Sequence, residues 1–333
     1  MSMSLLITGG CGFIGSNFVR HVLAQRPGWR VTNLDALTYS GNLANLADIQ
    51  GRTDYRMVQG DVCDGPLVES LIERSDAVVH LAAESHVDRS IADAGPFVRT
   101  NVAGVQTLLD AARRARAGKW TGRLLLVSTD EVYGSLPLDQ PDQKFTEHSS
   151  LRPSSPYAAS KAAGDLLALA WRHTFGLDVV IARCSNNFGP HQYPEKVIPL
   201  FVTNLLSGEP VPLYADGRHV RDWIHVEDHC AALLCLLERG HAGETYNIGA
   251  RNERSNLELT RTILQIMGCG EEMIRPVADR LGHDLRYAID PTKLERDLAW
   301  KPTRSAWPAA LEETVRWYAA RRDWWQPLKR PRA

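Results

Sequence analysis

Short apolar runs recur through the first half of the chain, at residues 5–8, 31–35, 77–82, 123–129 and 179–183. Runs of this length, rich in Val, Ile and Leu and bounded by polar residues, read as strands buried on both faces. Between them, apolar positions recur at helical period over 16–25, 97–116 and 158–175. Strand alternating with helix predicts an α/β chain with a doubly wound parallel sheet. After about Ser185 the pattern changes. Pro190, Pro194, Pro199, Pro210 and Pro212 break the chain into loops and short strands, and separate helical patterns follow at 226–237 and 257–267. This predicts two units: residues 1–185, joined by about 218–240, and a smaller, loop-rich C-terminal lobe, mainly 186–330. Five of the nine Trp lie between Trp300 and Trp325, as expected for a C-terminal helix packed on that lobe, and 326–333, with Lys329, Arg330 and Arg332, reads as a solvated tail.

Composition narrows the classes. The 333 residues are 44% hydrophobic and 23% charged, enough apolar content for a packed core. Lys+Arg 38 against Asp+Glu 39 leaves a formal charge of −1, so no overall field recruits nucleic acid or an anionic membrane, and an anionic ligand must be held by local cations. The six cysteines form no Cys-x-x-Cys pair and no zinc-site spacing, so reduced thiols and no metal are expected. The chain opens on a core strand without a signal-peptide pattern and contains no membrane-length apolar run, which predicts a cytoplasmic protein.

Gly9-Gly10-Cys11-Gly12-Phe13-Ile14-Gly15 follows the first strand and opens a helix. Glycines 9, 12 and 15 permit a tight turn, close approach of backbone N–H groups to a pyrophosphate, and close helix–strand packing, with Phe13 and Ile14 in the same loop. Asp35, about 20 residues further on, ends the second strand, where a carboxylate accepts from ribose hydroxyls and repels a 2′-phosphate. NAD is therefore expected over NADP, in a Rossmann-like sheet. Leu37 and Thr38 after Asp35, Asp61 and Val62 beside the adenine, and Leu81, Ala82, Ala83 and Ser85 near the pyrophosphate complete the cofactor set. Asp61 reads equally as a helix cap.

Ser155 and Pro156 form a helix start that puts Tyr157 and Lys161, one turn apart, on one face. A neighbouring ammonium favours phenolate, making the tyrosine a base for a hydroxyl. The Gly9–Gly15 loop followed by Tyr157-x-x-x-Lys161 resembles the extended short-chain dehydrogenase/reductase family. Ser128-Thr129-Asp130-Glu131-Val132-Tyr133-Gly134 sharpens the resemblance, because related sugar epimerases do not normally carry carboxylates at the positions of Asp130 and Glu131. Removing water from a sugar needs a base for an activated C–H and an acid for the departing hydroxyl, and two adjacent carboxylates with separated pKa values can divide those roles.

Matching stretches run nearly end to end: His80 to Ser90, Asn186 to Pro190, Pro194 to Pro199, Arg221-Asp222-Trp223 and Gly282-His283-Asp284. In this order they resemble the dTDP-glucose 4,6-dehydratases. The resemblance implies a lyase in which Tyr157 takes the C4 hydroxyl proton, Glu131 the C5 proton, Asp130 protonates the leaving C6 hydroxyl, and Thr129 bonds the C4 oxygen. It further implies Thr100 and Asn187 at the cofactor, and Ser85, Asn186, Lys196, Val197, Pro212, Tyr214, Arg221, Asn256, Arg280 and His283 at the nucleotide sugar. Arg221 is the diphosphate candidate, because a guanidinium binds two oxygens at once. Asn256 also sits in a capping-box pattern, Ser255-Asn256-Leu257-Glu258. His86, His225 and His283 read equally as buried structural imidazoles. Cys11, Phe188, Ala215 and Leu281 depart from the usual Ala, Tyr, Gly and Pro of the family, and the last three bear on base preference. The family's four-helix dimer interface implies a homodimer through 97–116 and 158–175, whose apolar stripe is Ala159, Ala162, Ala163, Leu166, Leu167 and Ala170. Two other readings stay open: a 4,6-dehydratase or epimerase for a UDP-, GDP- or CDP-sugar, and a silent NAD-binding regulator. The regulator would be expected to have lost one of Tyr157, Lys161, Asp130 and Glu131, and all four are present.

Overall fold

A computed structural model describes residues 2–117 and 120–329. Seven parallel strands form the main sheet in the order Thr245–Ile248, Asp178–Cys184, Arg123–Thr129, Ala77–His80, Ser4–Thr8, Arg30–Asp35 and Tyr55–Gln59. Alternate side chains of each strand point to opposite faces and feed separate cores. Leu5 and Ile7 pack with Phe18, Val22 and Leu233 on one face, and Leu6 packs with Val68, Leu108 and Ala168 on the other. The chain winds outward from Ser4–Thr8 through Arg30–Asp35, then returns to its other side with Ala77–His80. This strand-order reversal opens a crevice at the carboxyl ends of the strands, where ligands of such sheets bind.

The expected strands and helices are present, with four informative differences. Tyr55–Gln59 was not among the expected strands: it lies at the sheet edge with mixed burial, and its polar Arg56 and Gln59 mask the apolar run. The run at 77–82 leaves the sheet at His80, and Leu81 to Ser85 turn into the crevice. The helix over 97–116 is built as Gly95–Val98, a π-turn Arg99–Ala103 and Gly104–Ala117. The expected tail begins too early, because Arg322–Lys329 is helical, with Trp325 buried and Lys329 Nζ bonded to Asn204 Oδ1 at 2.7 Å. Arg330 and Arg332 lie outside the described residues.

The second lobe has its own core of Phe188, Phe201, Trp223, Leu259, Leu311 and Trp325. It carries a three-stranded sheet, Glu253–Ser255, Val220–His225 and Asn186–Phe188, and a two-stranded one, Ile274–Val277 with Val211–Tyr214. The chain recrosses to the first unit further than 218–240. The helix Val226–Arg239 packs on the sheet, Thr245–Ile248 adds a strand to its edge, and Val220–His225 stays in the smaller sheet. No described helix is long and apolar enough to cross a membrane.

Candidate active site

Two adjoining cavities, of about 320 and 210 Å³, open at the carboxyl ends of the strands. Ser85, Glu131, Asn186, Glu195 and Lys196 line both and form the seam between them. Of the residues expected at the cofactor, all but Leu37 line the first cavity. Leu37 has φ 54°, packs against the core and donates its backbone N–H to Asp35 Oδ1 at 2.8 Å, so it shapes the carboxylate rather than the cavity wall. Thr129, Asp130 and Glu131 line the first cavity, and the other residues expected at the sugar nucleotide line the second.

The glycine loop is a cradle that side chains would fill. A Cβ on Gly9, at φ 74°, would meet Ala82 N at 2.6 Å, and one on Gly15 would meet Gly9 O at 2.1 Å. The helix starts at Phe13 rather than Ser16, and its N-cap Gly12 supplies no side-chain acceptor. First-turn amides are thus left for an anion. Asp35, buried at 7% exposure, accepts from Cys11 N at 2.8 Å as well as from Leu37. A carboxylate has about four lone-pair sites, so it retains capacity for ribose hydroxyls. Asp61 is not a helix cap: it accepts from Cys63 N and pairs with Arg99 at 2.7 Å, and Asp64 caps the following helix. This chain's residues fit a dinucleotide with free ribose hydroxyls.

Tyr157 and Lys161 face the first cavity from the helix Pro156–Phe175, capped by Ser155 as the sequence indicates. Lys161 Nζ donates to Val127 O at 2.7 Å, tying this helix to the strand that carries Thr129. Burial lowers the Lys161 ammonium, and Asp165 opposes that. The phenol does not follow the sequence expectation. Burial pushes Tyr157 well above its ordinary value, the Glu131 charge adds to this, and a hydrogen bond with the Thr129 hydroxyl opposes it. In the protein alone the tyrosine is therefore a phenol.

Asp130 and Glu131 begin a single 3₁₀ turn, Asp130–Tyr133, at the end of the central strand. Asp130 is 2% exposed, and burial followed by the Glu131 charge drives its carboxyl well above the carboxylate range. Burial also raises Glu131, but Arg280, Arg221 and Lys196 oppose the shift. Unequal surroundings thus favour the proton on Asp130 and leave Glu131 the better base. The folded chain holds the Asp130 proton more tightly than the unfolded chain does. Folding stability therefore falls as pH rises from the ordinary Asp value of about 3.9 toward the raised folded value. Asp130→Asn is expected to raise Tm at neutral pH, with the gain disappearing below a pH of about 4, in circular dichroism melts across pH. A lower Tm at neutral pH would contradict this charge assignment.

The second cavity gathers the local cations that a near-neutral chain needs to hold an anion. Arg221, 6% exposed, lies 4.2 Å from the Tyr287 ring centroid and donates to the carbonyls of Val220 at 2.7 Å and Asp284 at 2.9 Å. Lys196 Nζ donates to Ser85 O at 2.9 Å, and Arg280 lies 3.7 Å from Asp88. Ser255 and Glu258 complete the capping box, and Asn256, the first residue of that helix, lines the cavity. His283 lines the cavity beside Tyr214, with its Nδ1 2.6 Å from Asp279. His225 is structural: it caps the helix Val226–Arg239 through Nδ1. His86 lines the second cavity, 3.9 Å from Glu195.

Several lining residues escaped the sequence reading. Glu195 sits on the seam, paired with Arg89 at 3.1 Å and with Oε1 unpartnered among the described residues, and its place between Pro194 and Lys196 in a quoted motif was an available signal. Tyr287, whose hydroxyl donates to Asp284 Oδ2 at 2.6 Å, and Tyr39 and Tyr193, which meet edge-to-face at 5.8 Å, come from loops with no local signal.

The family model described as GDP-mannose 4,6 dehydratase matches residues 6–311. A dTDP-glucose 4,6-dehydratase of Streptomyces niveus is 53% identical over 333 residues, covering 99% of this chain and 96% of the relative. The crystal structure of a dTDP-glucose 4,6-dehydratase from Streptomyces venezuelae with NAD and TYD bound superposes with a TM-score of 0.94 at 52% identity, covering 98% of this chain and 100% of that one. A Bacillus anthracis dTDP-glucose 4,6-dehydratase in complex with NAD gives a TM-score of 0.90 at 46% identity, with 98% and 100% coverage.

Proposed function

The chain belongs to the dTDP-glucose 4,6-dehydratase family, and from that premise we propose that it converts dTDP-glucose to dTDP-4-keto-6-deoxyglucose and water. The observation that carries this reading is Glu131 on the seam of the two cavities, next to the buried carboxyl of Asp130. A site for hydride exchange alone has no use for that pair.

NAD, cradled by Gly9, Gly12 and Gly15 with Asp35 at its ribose, supplies reversible hydride acceptance by a ring that is formally positive when oxidised. Tyr157, once its phenol is ionised in the loaded site, takes the proton of the C4 hydroxyl, while Thr129 bonds the same oxygen. The resulting ketone acidifies the neighbouring C5–H, and Glu131 removes that proton. Asp130 delivers its proton to the C6 hydroxyl, which leaves as water, and once the hydrogen taken from C4 has been returned to C6, Glu131 gives its proton back to C5. Lys196, Arg221 and Arg280 hold the diphosphate and keep Glu131 ionised. Tyr214 and His283 flank the base.

Arg221→Ala is expected to raise KM more than it lowers kcat, because the diphosphate contact is made in ground and transition states alike. Steady-state kinetics check this, and a collapse of kcat at unchanged KM would remove Arg221 from the binding role.

We assign a homodimer built on the segment 95–117 and the helix Pro156–Phe175. Ile91, Val98 and Leu166 are 39%, 55% and 58% exposed, and Ala159 and Ala170 of the stripe are also exposed, while Ala162 is buried in the monomer. Six free thiols suit the reducing cytoplasm, where we place the reaction. Incubation with dTDP-, UDP-, GDP- and CDP-glucose, read by NMR, tests the donor: the dTDP sugar should give the 4-keto-6-deoxy product, and turnover of another donor alone would overturn the base assignment.

A further inference from the structure

We propose that Tyr133 is a positioning residue for the elimination step, holding the Asp130–Glu131 turn in register with the helix that carries Tyr157 and Lys161. The inference rests on the dehydratase reading above.

The two carboxylates are poorly fixed by their own contacts. Among the described residues Asp130 Oδ2 has no partner and Asp130 Oδ1 has only the Thr129 hydroxyl at 3.3 Å, and the same hydroxyl accepts from Glu131 N at 3.3 Å. The far end of their four-residue turn is anchored firmly. Tyr133 is 1% exposed, stacks on Phe145 at 5.0 Å and 17°, donates to Asn247 Oδ1 at 2.7 Å and accepts from Arg183 Nη1 at 2.9 Å. Arg183 pairs with Asp165 at 2.8 Å, both side chains being almost fully buried. Asp165 stands one helical turn beyond Lys161. The chain Asn247–Tyr133–Arg183–Asp165 therefore links the edge strand, the carboxylate turn, the strand Asp178–Cys184 and the helix of Tyr157 and Lys161.

A buried ion pair of this kind adds little net stability over apolar packing, and specifying one geometry is its better-attested use. Gly134 closes the turn at φ 86°, where a Cβ would meet Arg152 O at 2.4 Å, so backbone and hydroxyl together fix the exit of the turn. The reach from Glu131 to C5 is thus set at Tyr133, two residues away.

Tyr133→Phe retains the ring and its stack, removes the hydroxyl, and leaves the Arg183–Asp165 pair in place. In single turnovers with dTDP-glucose we expect oxidation at the wild-type rate, read as nicotinamide absorbance. Elimination, read as solvent deuterium entering C5 and as formation of the 6-deoxy product, should slow about 10–100-fold, the scale of a misplacement of roughly 1 Å. Asn247→Ser, which removes the acceptor of the same hydroxyl, is read identically if the Phe variant melts early. A merely structural role would lower Tm and slow both half-reactions by the same factor. That result, or elimination at the wild-type rate, overturns the proposal. A wild-type protein that makes no 4-keto-6-deoxy sugar would instead remove the dehydratase reading beneath it.

Discussion

Glu131→Gln is expected to oxidise C4 of one bound dTDP-glucose and then stop. The amide keeps the size and position of the carboxylate on the seam of the two cavities but cannot take the C5 proton. Loss of a general base costs about 10²–10⁴-fold, and the loss should fall on elimination alone. Oxidation should be spared, because the Glu131 charge raises the Tyr157 phenol, and removing it makes that phenol easier to ionise. Rapid-mixing absorbance should show a full rise of bound NADH that does not decay, with the 4-keto-glucose trapped before water is lost. Asp130→Asn should stall at the same stage, since its amide cannot protonate the departing hydroxyl. Wild-type turnover by the double variant Asp130→Ala, Glu131→Ala would leave the pair without a chemical role.

Tyr157→Phe acts earlier. The C4 hydroxyl loses its base, so bound NADH should not form at all on the wild-type timescale, again a loss of about 10²–10⁴-fold. Burial holds the wild-type phenol protonated in the protein alone, so its single-turnover oxidation rate should rise with pH across the range where the phenol begins to ionise in the loaded site. The Glu131→Gln enzyme, which isolates this step, should show the same rise beginning at lower pH. A Tyr157→Phe variant that accumulates bound NADH as fast as the wild type would assign the base to another group.

Much of this site was legible because its chemistry is written in local runs. Gly9 and Gly15 encode a turn too tight for a Cβ at either position, and Ser155-Pro156-Tyr157 encodes both a helix start and the placement of the phenol. Asp130-Glu131 follows directly on the strand Arg123–Thr129, whose centre is apolar, so the position of the pair at the sheet's carboxyl edge could be counted. Features set by contacts between distant segments were not legible. Glu195 and Tyr287 reach the seam and the second cavity from loops more than 90 residues apart. Leu37 belongs to the right loop but is turned away by a left-handed backbone. The Tyr157 phenol is the clearest case. Sequence supplies its neighbour Lys161, while the burial that raises the phenol comes from the assembled sheet, helix and turn. The strand Thr245–Ile248 likewise rejoins the main sheet after a long excursion through the second lobe, which periodicity alone does not reveal.

The proposed reaction is an internal redox cycle: the hydrogen removed from C4 returns to C6 of the same sugar, with elimination by Glu131 and Asp130 in between. The direct measurement is turnover of dTDP-glucose carrying deuterium at C4, by the purified protein with no added oxidant, followed by NMR and mass analysis of the product. Deuterium at C6 of the 4-keto-6-deoxy sugar, with no free NADH released, is the predicted result. A 6-deoxy product without the label, or product formation that consumes added NAD and accumulates free NADH, would contradict it.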